Sequence, residues 1–163
     1  MALSVHLFMK ANGTDVHGDS TVTSMERADS IECVAYNDHV ATQRRGEAGV
    51  ATGRRVHDPI VITKRIDKST PLLLKALCQN EVIEGDFKFY RPAPTGDGST
   101  EHFMTVEIRE ARIVDIKREV LNVLDRAVAQ YPVFETVSFM FSSVEVRYEP
   151  DGVSHQDLWT EQV

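Results

Sequence analysis

The sequence predicts a mainly β protein, a barrel or sandwich of about seven curved strands closed by one short α-helix over about residues 70–79. Three observations carry that prediction. Apolar and polar residues alternate with the period of two expected of half-buried strands over much of the chain. Two of the longest alternating stretches change parity partway, near Glu110 and Ala111 and at Ser142 and Ser143. Such slips mark bulges, which bend a sheet toward closure. One segment, residues 58–80, begins as a strand and ends as a helix with start and stop signals of its own.

In chain order, residues 3–10 put Leu3, Val5, Leu7 and Met9 on one face of a first strand. Residues 11–27 are polar, rich in Gly, Asp, Ser and Thr, and read as a loop. Residues 30–40 return to a strand, with Ile31, Cys33 and Ala35 together. Residues 41–56 hold three glycines and four arginines, Arg44, Arg45, Arg54 and Arg55, with only short apolar residues between them. That composition predicts a long exposed loop, a feature often functional in a compact domain. Clustered arginines invite a phosphate or nucleic-acid reading. No aromatic residue in the stretch could stack a base, however, which favours a solvated loop or one pairing with acidic residues of a neighbouring subunit.

In residues 58–80, Pro59 suits only the first position of a strand, and the β-branched Ile60, Val61 and Ile62 suit its buried pleat. Ser69 or Thr70 caps the helix, Pro71 pre-sets its first turn, and Asn80 closes it in a left-handed conformation. Leu73 and Leu77 form one stripe, Leu72 and Ala76 a second, Leu74 and Cys78 a third. A helix apolar nearly all round needs cover on more than one side. Either the chain's own loops or a second subunit can supply it, and the residues alone leave both open.

Residues 86–91 are the next strand, and the turn formers of residues 92–100 connect it to a strand at 101–117. There His102, Met104, Val106 and Ile108 share a face until the slip; Ala111 and Ile113 take the other parity, and Val114 and Ile116 return to the first. Residues 117–130 space Val120, Leu121, Leu124 and Val128 as a helix would, ended by Tyr131 and Pro132. Residues 135–149 form the last long strand, with the second slip inside it. Residues 151–163 are an acidic tail whose single tryptophan, Trp159, anchors on the domain or on a neighbour.

The length of 163 residues fits one domain, 1–163, able to bury a core without disulfides. A formal net charge of −7 argues against nucleic acid or anionic membrane as a partner. No apolar run approaches the roughly 20 residues that span a bilayer, so direct membrane insertion is not expected. The N-terminus lacks a basic segment ahead of an apolar one, so export would need a route that reads no cleaved signal peptide. Cys33 and Cys78 are far apart and read as reduced. Six histidines sit at no metal-ligand spacing, His57 beside Asp58 is a pairing common by chance, and no nucleophile-elbow, phosphate-loop or dinucleotide motif occurs. The expectation is a protein without cofactor, metal or catalytic residues.

The stretch Ile62-Thr63-Lys64-Arg65-Ile66-Asp67-Lys68-Ser69-Thr70-Pro71-Leu72 resembles the central signature of the Hcp family, the haemolysin-coregulated tube proteins of bacterial type VI secretion. That signature has the form F/V-T-K-x-I/L-D-K-S-S/T-P followed by an apolar helix. Gly13 with Asp19 and Ser20, residues 30–36, residues 102–116, and residues 137–148 with Trp159 resemble other family segments in the same order. The resemblance implies two curved antiparallel sheets forming a barrel with one helix at its side, assembled as a hexameric ring. It implies rings stacked into a hollow tube inside a contractile sheath, capped by the VgrG spike, with small effector proteins in the lumen. It implies a protein made in the bacterial cytoplasm and then secreted, and no fused toxin domain is expected after residue 163. The signature residues Thr63, Lys64, Asp67, Lys68, Ser69, Thr70 and Pro71 carry the resemblance; Arg44, Arg45, Arg54, Arg55, Leu72, Leu74 and Trp159 are the candidates for subunit or ring contacts. The segment at 117–131 is longer and more helical in pattern than in the simplest members. The competing reading is an unrelated β-barrel enzyme or ligand-binding domain, which would need a deep pocket.

Overall fold

In a computed structural model, residues 3–45 and 49–159 are described. They form β1 (Ser4–Ala11), β2 (Thr14–Val16), β3 (Ile31–Asn37), β4 (Val40–Arg45), β5 (Val50–His57), β6 (Ile60–Arg65), α1 (Thr70–Cys78), β7 (Ile83–Pro92), β8 (Thr100–Glu119), β9 (Phe134–Met140), β10 (Ser143–Tyr148) and β11 (Val153–Leu158). The strands run in the order β8-β7-β1-β3-β6-β9, and β9 pairs again with β8, so six antiparallel strands close on themselves. β10 and β11 extend the sheet outward from β8, β2 pairs with β1, and β4 pairs with β5 alone.

β8 makes closure possible because its 20 residues serve two neighbourhoods. Its first half pairs with β7 on one side and β10 on the other; its second half pairs with β9. Between them lies the bulge that the parity slip marks. Ile108 faces Gly85 and Ala111 faces Ile83, so β8 takes three steps where β7 takes two. Glu110 takes up the extra residue at φ +48°. Ile108 and, beyond the bulge, Ala111 both stay buried. The register shifts again between Ile113 and Asp115, which turns Val114 out to solvent.

Leu7, Ile31, Ile60, Ile62, Ile83, Phe87, Val137 and Phe139 fill the barrel interior, and α1 adds Leu73 and Ala76. Pro71 lies in the first turn of α1 and Asn80 follows it at φ +50°. Ser69 occupies the cap position, but its side chain makes no cap hydrogen bond. It is turned to Asp67 instead.

Five expectations need correction. The strands number eleven among the described residues, not about seven. Of residues 41–56, the described stretches 41–45 and 50–56 are not an irregular loop but paired strands of a two-stranded arm, β4–β5, whose cross-strand bonds satisfy the backbone, while residues 46–48 lie outside the described residues. Residues 117–130 are not helical. β8 runs on to Glu119, and turns follow, with one i+4 bond, from the Ala129 N–H to the Asp125 carbonyl. Asn122 and Asp125 cap local amides with their own side chains, and the apolar stripe has nothing to pack against, so the periodicity alone does not make a helix. The second parity slip is a break rather than a bulge: β9 ends at Met140 and β10 starts at Ser143 with a different set of partners. Part of the acidic tail is strand β11, paired along the whole of β10.

Candidate assembly surfaces

The signature residues meet inside the chain. Lys64 is fully buried where β6 ends, and its Nζ lies 2.6 Å from Glu135 Oε1 and 3.0 Å from Asp67 Oδ1. It also donates to the Arg65 carbonyl at 2.8 Å and to Thr70 Oγ1 at 3.3 Å. Glu135, equally buried, accepts from Thr70 Oγ1 at 2.8 Å and pairs through its other oxygen with Arg118. Asp67 accepts from the Ser69 amide and hydroxyl and from the Asp19 amide. Burial pushes the Asp67 carboxyl upward, but the hydrogen bonds from Ser69 and Lys64 outweigh it and hold the group below the usual carboxylate range. Gly18 lies so close that a Cβ there would stand 2.8 Å from Asp67 Oδ2 and 2.7 Å from the Ser30 carbonyl. Lys68 points outward to Asp29 and Asp19 at 3.3 and 3.5 Å, and Pro71 is exposed. This network fastens the start of α1 to β6, β8 and β9. Every buried charge in it has an opposite partner, the condition under which buried ions persist.

A second polar cluster lies under residues 17–30, where they fold over the outer face of β1. His6 is fully buried, its Nδ1 2.9 Å from Ser30 Oγ, its Nε2 without a partner. Tyr90 meets it edge-on, and the Arg27 guanidinium sits 4.6 Å over the Tyr90 ring. Burial, then the Arg27 charge, lowers the His6 pKa from its ordinary 6.5, against an opposing pull from Glu32.

The arm is fastened at its root by the chain's own C-terminal strand. Arg55 Nε donates to Asp157 Oδ2 at 2.6 Å and its Nη2 to the Leu158 carbonyl at 3.1 Å. His57 Nε2 lies 2.6 Å from the same Asp157 oxygen, and its ring packs on Phe141 and Trp159. The Arg55 hydrogen bond, joined by that of His57, holds the Asp157 carboxyl below its usual range. Trp159 is thus tied to the arm root and to the core edge, and its amide donates to the Ser142 carbonyl.

Of the contact candidates, Leu72 and Leu74 stand 41% and 43% exposed on α1, beside the exposed Cys78, while Leu73 and Ala76 are buried. Leu77 is only partly buried. α1 therefore covers one apolar face and leaves another open. Arg54 is exposed, and Arg55 is engaged within the chain. The side chains of Arg44 and Arg45 lie outside the described residues. Sequence reasoning missed Glu135, Arg118, Asp157 and the His6 cluster. A signal for the first was the strand register that sets Lys64 opposite Glu135, visible only once β6 and β9 are paired.

The profile of the family described as "Type VI secretion system effector, Hcp" matches residues 8–148. The chain is 36% identical over 132 residues to the "Major exported protein" of Pseudomonas aeruginosa, which covers 80% of this chain and 76% of that protein. Among solved structures, the Hcp1 protein of the E. coli EAEC 042 pathovar superposes with a TM-score of 0.81 at 26% identity, over 97% of this chain and 99% of that one. The secreted protein Hcp3 of Pseudomonas aeruginosa, at 23% identity, shares the fold with a TM-score of 0.73 over 97% and 99% of the two chains.

Proposed function

The chain belongs to the Hcp family of the type VI secretion system, and from there we propose that it is a non-enzymatic structural subunit that forms six-membered rings through α1. The rings stack into a hollow tube, the tube is expelled by a contractile sheath behind a VgrG spike, and the lumen carries small effector proteins. The chain reaches the outside by this route.

The observation that carries the ring reading is the open face of α1. Leu74 and Cys78 lie exposed along one stripe of a helix whose Leu73 and Ala76 are sealed into the barrel, and Leu72 lies exposed on a separate stripe. Apolar surface left bare on an ordered helix is removed from water by association. The apolar side chains filling the barrel favour this over a ligand-binding barrel, because they leave the interior to side chains rather than to a guest. Light scattering with negative-stain microscopy tests it. A particle of about six times 18.3 kDa with annular images is expected, and Leu74→Asp should yield folded monomers. A parent chain that stays monomeric at micromolar concentration, or rings that persist in Leu74→Asp, overturns the assignment.

A further inference from the structure

His6 has a ring nitrogen that the fold leaves unused. The side chain is fully buried beneath residues 17–30, and its Nε2 has no hydrogen-bond partner among the described residues. The other nitrogen, Nδ1, lies 2.9 Å from Ser30 Oγ and 3.5 Å from Ser20 Oγ. Both hydroxyls already donate, Ser30 to the Arg27 carbonyl at 2.7 Å and Ser20 to the Val22 carbonyl at 2.8 Å. A hydroxyl has one hydrogen to give, so Nδ1 carries the ring hydrogen and Nε2 is a bare lone pair. A second proton can enter only at Nε2, where it meets no acceptor. It also meets a buried cation. Arg27 donates to the Ser24 carbonyl and hydroxyl and to the Ser4 hydroxyl, and pairs with no carboxylate among the described residues. Glu32 faces His6 across the β1–β3 pairing, but its carboxylate accepts from the Thr21 amide and hydroxyl and lies 3.6 Å from Arg65. Its pull toward the charged ring is outweighed by burial and Arg27. On β7, Tyr90 meets the ring edge-on with His102 of β8 stacked on it, and Lys88 stands opposite His6 in register, over the Phe8 ring.

The segment over His6 is held by side chains and contains one 3-10 turn, Ser24–Glu26. Met25 and Glu26 sit there at φ +55° and +61°, a left-handed backbone that such residues keep only under constraint. The same segment grips the start of α1. The Asp19 amide donates to Asp67 Oδ2 at 3.1 Å, the Lys68 amide donates to Asp19 Oδ2 at 3.2 Å, and Lys68 Nζ reaches Asp19 and Asp29 at 3.5 and 3.3 Å. We propose that residues 17–30 are an acid-released cover with His6 as its catch: a proton taken up at Nε2 lifts the cover, brings the ring to water and frees the start of α1. The neutral ring belongs to the closed state and the charged ring to the open one, so falling pH favours opening. In the open state His6 titrates near its ordinary 6.5, and in the closed state lower. Between those values each unit of pH raises the open fraction about tenfold, one proton being bound per opening. Acid thereby reaches the helix that bears Leu72 and Leu74, and neither the catch nor its release depends on whether rings form.

Hydrogen exchange of the whole chain from about pH 7.5 to about pH 5, corrected for the intrinsic effect of pH on exchange, tests the catch. Protection of amides 17–30 and of the Lys68 amide should fall by about tenfold per unit below about 6.5, while amides of β6 and β9 keep theirs. His6→Gln retains a donor for Ser30 and takes no proton, so its protection should be flat with pH. The His6 ring resonance of the parent chain gives a readout that needs no variant, and it should show the ring charging over the same range in which the cover opens. Cover exchange that is flat with pH in the parent, a His6 that charges while amides 17–30 stay protected, or an undiminished acid response in His6→Gln overturns the proposal. Particle mass by light scattering reports on the ring reading alone, so the two fail independently.

Discussion

The chain uses carboxylates to fasten two elements, in opposite settings. At the start of α1, Lys64 and Glu135 are sealed from water and Asp67 nearly so. At the arm root, Arg55 and Asp157 remain 27% and 19% exposed at the side chain. The chemistry is alike, but the effect of removing one partner is not. A buried charge left alone has no water to turn to, whereas a surface one rehydrates. The first device therefore fixes which way the chain folds. The second fastens the arm root from the half-exposed side.

The sharpest way to break the comparison is to halve the buried network. Glu135→Ala takes from buried Lys64 its nearer carboxylate, leaving Asp67 alone to face it, and should destabilise the barrel by about 3 kcal/mol, read as a fall in the urea midpoint. A loss under about 1 kcal/mol would place the two devices in one class. Leu73→Ala, on the sealed face of α1, should cost about 2–5 kcal/mol by opening a cavity next to the same network. Asp157→Asn should leave the unfolding free energy within about 1 kcal/mol of the parent, yet speed amide exchange across β4 and β5. Acid separates the groups further. His6 has a lowered folded pKa, so its stabilising contribution is complete above its unfolded value near 6.5 and is lost as pH falls through the folded value. Asp67 and Asp157 are also lowered, so theirs is complete above about 4 and is lost as pH falls below it. A pH titration of stability should therefore show a first loss below about 6.5 that His6→Gln removes, and a second below about 4 that it does not.

The contrast also explains what could be read from the chain. β1, β3 and the long β8 were legible because one face of each is buried, and burial of one face writes a period of two into sequence. The bulge at Glu110 was legible for the same reason, since a parity change has few other causes. The arm was not, because its Arg, Gly and Thr leave no alternation to find. The stripe from Val120 to Val128 misled in the other direction: a helical period is written there, but Val120, Leu121 and Leu124 stand exposed with no core face to hold a helix in place. The signature at residues 62–72 pointed to the family, while the partners that give Lys64 its role, Glu135 and Arg118, lie 71 and 54 positions away in strands of unrelated composition.

The arm hangs from the end of β3 and the start of β6, two paired neighbours in the closed barrel. Any thrust delivered to it enters the barrel along the strand direction. Antiparallel hydrogen bonds lie perpendicular to the strands, so the ladders from β3 to β1 and from β6 to β9 meet that force sideways and all at once instead of opening rung by rung. The barrel is thereby stiffest along the line on which the arm would push.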